Sequence, residues 1–104
     1  MRKPPARMNF KTTEKADEDI IGIYVYGMRR FGTEQAERYH AGLIECFSFL
    51  CEHPFAARER SEFDPPVRLY FHQAHVVVYL VRDDILLIVR VLHGRQDWER
   101  HLRP

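Results

Sequence analysis

The stretch "HVVVYLVRDDILLIVRVLHGRQD", His75–Asp97, decides the fold. Two runs rich in β-branched residues flank Asp83 and Asp84, so "RDD" reads as a short turn joining two strands of a hairpin. Val76, Val78 and Leu80 alternate with Val77, Tyr79 and Val81, which makes both faces of the first strand apolar. Such a strand needs cover on both sides. The second run breaks abruptly into His93, Gly94, Arg95, Gln96 and Asp97, a polar group that reads as a turn fixing the C-terminal segment.

Upstream, "VRLYFH" alternates Val67, Leu69 and Phe71 with Arg68, Tyr70 and His72, which predicts a third strand. Before it, "PFAARERSEFDPP" has no period and ends on two prolines, so it is read as a connection that Phe55 and Phe63 can pin to the body. Further upstream the period changes to that of helices. Ala16, Ile20, Ile23, Tyr24, Gly27, Met28 and Phe31 predict a helix from about Glu14 to Arg30, with Thr13 as its N-cap. Asp17, Glu18 and Asp19 lie early and Arg29 and Arg30 late, as the helix dipole favours. Gly32 supplies a stop and Thr33 a second N-cap. A second helix then carries the stripe Ala36, Tyr39, Leu43, Cys46, Phe47 and Leu50 to about His53, where Pro54 forbids continuation. Helices joined this tightly pack as an antiparallel hairpin.

The first segment, "MRKPPAR", is cationic and offers little to a core, so residues 1–7 read as a flexible tail and residues 8–104 as a single domain. "MNFKT" behind it can be a strand with Met8 and Phe10 on one face. The expected class is therefore α+β, in the order β-α-α-β-β-β, with an antiparallel sheet and the α-hairpin packed on one face. Two kinds of cover are open for the other face. One is the chain itself, through the tail, Phe55 or Phe63, and the short "QDWERHL" turn that holds Trp98 and Leu102; the other is a partner chain.

At 104 residues the chain can build one core but not two. Sixteen Lys and Arg against 15 Asp and Glu leave a net charge of +1, which provides no broad field to gather a polyanion. No apolar run reaches the ~18 residues that span a bilayer. Cys46 and Cys51 on one helix are about 8 to 9 Å apart at their Cα atoms, too far to bridge, so free thiols and a cytoplasmic setting are expected. His72 and His75 flank a turn without a ligand set at zinc spacing, and the scattered glycines form no phosphate loop.

Four stretches carry a family resemblance: "ADEDIIGIYVY", "FGTEQAERY", Pro54 with "RSEFDPPVR", and "VVVYLVRDDILLIVRVLHGRQD". In this order they resemble the RelE/ParE superfamily of bacterial toxins, and its ParE branch in particular, over about Met8 to Leu102. The most specific is the strand that ends in Arg90, Val91, Leu92, His93 and Gly94, followed by Arg95 and Asp97. The resemblance implies a type II toxin–antitoxin module. A ParD-like antitoxin would lay a helix and a strand over the toxin in a hetero-oligomer, a heterotetramer or larger. It also implies that the free toxin inhibits DNA gyrase by binding, with no catalysis, cofactor, metal or membrane.

The competing branch, RelE, contains ribosome-dependent mRNA endonucleases, and Arg58, Arg60, Arg68, Arg90 and His93 are the residues that could serve such chemistry. Against it stand the near-neutral charge, the small number of lysines and the absence of a tyrosine after the last strand. A non-toxic relative that only forms the complex is a further alternative. The contact residues expected for antitoxin or target are Arg68, Tyr79, Arg90, Leu92, His93, Arg95, Asp97 and Trp98. Arg68 reads either as a surface charge or as a contact. Arg90, inside an apolar strand, needs a carboxylate such as Asp97, Asp64 or Glu62, unless it faces solvent. His93 reads either as an acid or base, or as a structural ring that donates to a backbone carbonyl and orders the turn at Gly94; the ParE-like context favours the second.

Overall fold

The computed structural model describes residues 8–95 and 98–103. The expectations for the tail, residues 1–7, and for Asp97 fall outside them. The elements are β1 (Asn9–Thr12), α1 (Glu14–Phe31), α2 (Thr33–Glu52), β2 (Glu59–Arg60), β3 (Val67–His72), β4 (His75–Arg82), β5 (Ile85–His93) and a 3-10 turn (Trp98–His101).

Thr13 caps α1 as expected: its Oγ1 accepts from the Ala16 N–H at 3.0 Å and donates to the Val89 carbonyl at 2.7 Å. The same side chain thus starts the helix and ties it to the sheet. Gly32 alone separates the two helices, with φ at 95°, a conformation that glycine adopts without a Cβ penalty. Thr33 is already helical and no side chain caps α2, which corrects the expectation of a threonine cap. A joint of one residue leaves no room for a separate stop and cap.

The sheet order is β1-β5-β4-β3-β2. β3, β4 and β5 form the expected antiparallel meander, turning at Gln73–Ala74 and Asp83–Asp84. The sheet is nevertheless mixed, because β1 pairs parallel to β5, from Asn9 opposite Ile85 to Thr12 opposite Ile88. Alternation in a four-residue strand reports which face a side chain takes and carries nothing about direction. The short β2, unforeseen in the connection, pairs Glu59 and Arg60 with Arg68 and Val67.

Between Tyr79 opposite Ile88 and Val78 opposite Arg90, β5 holds one residue more than β4. This bulge at Val89 reverses the alternation of β5. Leu86 and Ile88 face the helices before it, whereas Val91 faces them after it. The helix-side core joins these residues and Val77 and Tyr79 to Ala16, Leu43, Phe47 and Leu50.

The chain itself covers most of the second face, and Phe71 of β3 stays 57% exposed beside Trp98. Phe63, Val67, Leu69, Val76, Val78, Leu80 and Leu92 are buried there, with Trp98 and Leu102 packed against them. Of the intramolecular covers considered, Phe63 and the C-terminal turn do this work, while Phe55 remains 69% exposed. The exposed apolar side chains of the helices lie elsewhere: Ile21 and Tyr26 are each 63% exposed and Phe31 57%.

Candidate functional site

A cleft of about 900 Å³ opens between the hairpin and the end of the sheet where β4 begins and β5 ends. Ile20, Ile23, Tyr26 and Gly27 of α1 and Ala36, Tyr39 and Leu43 of α2 give it an apolar wall. His75, Val91, His93 and Arg95 line the opposite side.

Asp19 and Arg90 define the cleft's inner margin. Arg90 donates from Nε to Asp19 Oδ2 at 2.7 Å and from Nη2 to Oδ1 at 3.0 Å. Asp19 Oδ2 also accepts the Val91 N–H at 3.0 Å, just past the bulge. The carboxylate holds the guanidinium above its usual pKa, through the hydrogen bonds first and burial opposing them. Asp19 replaces the expected partners of Arg90: Glu62 pairs with Arg60 instead, at 2.8 Å.

At the cleft's outer margin Tyr39 bonds His75 Nδ1 through its hydroxyl at 2.6 Å. The His75 ring lies 5.4 Å from Tyr39 and 5.3 Å from His93, and Tyr39 lies 6.0 Å from His72. Burial, reinforced by His93 and His72, pushes the His75 pKa down to about 4. His72 Nε2 is buried without a partner among the described residues. His93 does order the turn at Gly94, by a route other than the expected one. Its Nδ1 accepts the Arg95 N–H at 3.1 Å, while the Gly94 N–H reaches the Ala74 carbonyl at 2.8 Å.

The residues expected from sequence separate into distinct places. Arg90, His93 and Arg95 meet at the cleft, while the Leu92 side chain is almost fully buried on the second sheet face. Tyr79 has no accessible surface, and its hydroxyl donates to the Pro54 carbonyl at 2.9 Å, so it offers a partner nothing in the folded chain. Trp98 lies on the second sheet face beside Phe63 and Phe71. Arg68 donates to the Ala57 carbonyl at 2.6 Å and sits over the Phe55 ring at 4.8 Å. Sequence reading passed over Tyr39, His75 and Asp19, and Tyr39 alone carried a signal, as a stripe residue too polar at its tip to bury without a partner.

The arginines considered for nuclease chemistry do not converge: Arg60 holds Glu62, Arg68 holds a backbone carbonyl and Arg90 holds Asp19. Among the described residues no group of three or more His, Cys, Asp or Glu is placed to hold a metal ion. None of the described helices is long and apolar enough to cross a membrane.

A helical hairpin on a mixed sheet in this order defines the class, a small α+β protein of the RelE/ParE type. Residues 10–98 match the family described as the ParE toxin of the type II toxin-antitoxin system, parDE. The chain is 35% identical over 88 residues to Toxin ParE of Escherichia coli, covering 82% of this chain and 84% of that one. It is 29% identical over 93 residues to Toxin ParE1 of Caulobacter vibrioides, covering 89% and 96%. A chain of the structure titled "Chromosomal ParDE TA system from P. aeruginosa" superposes with a TM-score of 0.72 at 22% identity, over 84% of this chain and 96% of that one. The protein belongs to the ParE toxin family.

Proposed function

We propose that this chain is the toxin of a type II toxin–antitoxin pair, that a ParD-like antitoxin neutralises it in the cytoplasm, and that the free toxin blocks DNA gyrase by binding. The antitoxin seats an apolar segment in the cleft between the hairpin and the sheet end. One observation carries the docking site: the chain itself buries most of both sheet faces, Phe71 excepted, whereas the cleft keeps an open apolar wall with Tyr26 exposed at its margin. An amphipathic helix laid in such a groove gains from apolar burial, and a disordered segment can order as it binds. The engaged state of Arg60, Arg68 and Arg90 supports action by binding over phosphodiester cleavage.

The test is induction of the chain in bacteria, alone and with a ParD-like partner. Growth arrest with DNA-damage signalling, relieved by the partner and reproduced as trapped cleaved DNA with purified gyrase, is the expected result. Rapid mRNA cutting with intact supercoiling would replace gyrase by the ribosome. No arrest, with the complex still formed, would leave a non-toxic relative.

A further inference from the structure

We propose that Tyr39 and His75 form an acid-released latch, which holds α2 on the β3–β4 turn near neutral pH and lets the outer margin of the cleft open as the medium acidifies. The latch is built from three strands and a helix. Tyr39 comes from α2, His72 and His75 flank the Gln73–Ala74 turn, and His93 ends β5. The Tyr39 hydroxyl lies 2.6 Å from His75 Nδ1. In the neutral ring with its proton on Nε2, Nδ1 accepts the phenolic hydrogen. A proton added there ends the acceptor role of Nδ1 toward the Tyr39 hydroxyl and puts a positive charge beside the imidazoles of His93 and His72.

Among the described residues no carboxylate compensates for that charge. From α2 the facing groups are Tyr39, His40 and the buried Cys46; from β3, His72; from β5 and its turn, His93 and Arg95; from the 3-10 turn, His101. Glu18 and Asp19 of α1 are the carboxylates that line the cleft among the described residues, and Asp19 is engaged by Arg90. His93 cannot take over the role of acceptor, because its Nδ1 already receives the Arg95 N–H.

The direction follows from linkage. In the closed latch His75 titrates at about 4, against 6.5 for an unperturbed ring. The opened state therefore binds more protons across this window. The latch is fully effective above 6.5 and is lost as the pH falls toward 4. Between pH 7.5 and 5 the opening equilibrium rises about tenfold to thirtyfold, the lower figure allowing for the half-exposed position of the ring. If an antitoxin docks in this cleft, a consequence that rests on the proposed function, its hold weakens over the same range. The latch itself is a property of the free chain.

The experiment is amide hydrogen exchange on the free chain at pH 7.5 and 5, corrected for intrinsic rates, with the imidazole nitrogens of His75 followed by NMR. Protection of Gly94 and of the α2 amides near Tyr39 should fall about tenfold to thirtyfold at pH 5, while amides beside the Asp83–Asp84 turn hold theirs. His75→Gln keeps an acceptor for Tyr39 but does not titrate, so its protection at the same sites should be flat with pH. His75 titrating near the ordinary histidine value, or becoming protonated with no loss of protection at Gly94, would overturn the latch. These wild-type readings decide the matter even if the variant does not fold.

Discussion

Asp19 on α1 accepts both arms of the Arg90 guanidinium and, through the same Oδ2 that takes Nε, the Val91 N–H of β5. One carboxylate thus compensates a cation and a backbone donor at the place where the bulge interrupts the sheet ladder. Both side chains are mostly buried, at 15% exposure for Asp19 and 17% for Arg90. Removing one partner of such a pair leaves the other uncompensated, which costs more than the net worth of the pair. Asp19→Ala should lower stability by about 3 kcal/mol, and Arg90→Met by less, because Met packs its chain and leaves Asp19 its bond to Val91. Urea denaturation measures both. A loss below about 1 kcal/mol for Asp19→Ala would show that water, and not Arg90, satisfies this carboxylate.

Tyr79 is buried in the helix-side core and joins β4 to the loop at Pro54 through its hydroxyl. Tyr79→Phe deletes that bond with the ring kept in place, so stability should fall by about 1 kcal/mol. Affinity for an antitoxin should not change at all. A weakened complex with unaltered stability would mean that the tyrosine becomes exposed when the partner binds.

Cys46 and Cys51 are buried, and burial pushes the Cys46 thiol up to about 11. At pH 8 only about one part in a thousand of Cys46 is then thiolate, the form that reacts. A thiol-specific chromophoric reagent should therefore label neither cysteine of the native chain on the timescale on which it labels both in urea. Fast labelling of one thiol under native conditions would place it in a mobile or open part of the helix.

Trp98 is the chain's single tryptophan, and it rests on the second sheet face between Phe63 and Phe71. Its emission consequently reports the closure of that face without interference. Trp98→Asp should uncover Val76 and Val78 and destabilise the fold by about 2 kcal/mol or more. Emission of the native wild-type protein should be blue-shifted relative to the urea-unfolded chain. Emission already at the unfolded wavelength would mean that the 3-10 turn does not cover the sheet in solution.

Local chemistry made much of this fold legible. Thr13, Gly32 and Pro54 mark helix ends because caps, positive φ and a missing N–H act within a few residues. The bulge at Val89 left no trace, since "ILLIVRVL" is apolar on both faces and a reversed alternation looks the same as a regular one. The partner of Arg90 was missed for a related reason: Asp19 lies 71 residues away, and in sequence it reads as one more anion in the first turns of a helix. Half of the cleft was visible, because Arg90, His93 and Arg95 follow one another at the end of β5. The other half, Tyr39 and His75, exists only where α2 crosses the β3–β4 turn.

Tyr26 and Phe55 allow the docking site to be tested without disturbing the core, because they are exposed to a similar degree, 63% and 69%, while only Tyr26 lines the cleft. An aromatic side chain at the margin of a groove contributes strongly when a partner covers it, and truncating it removes that contact with little effect on the free chain. Tyr26→Ala should raise the dissociation constant for a ParD-like antitoxin by about tenfold or more. Phe55→Ala, which removes an aromatic resting on Arg68 far from the cleft, should leave it within about twofold. Isothermal titration on the two variants, checked by circular dichroism for retained fold, gives both values. If Phe55→Ala proves the damaging change and Tyr26→Ala the silent one, the antitoxin docks over the Pro54–Arg60 loop, and the cleft beneath the hairpin has some other occupant.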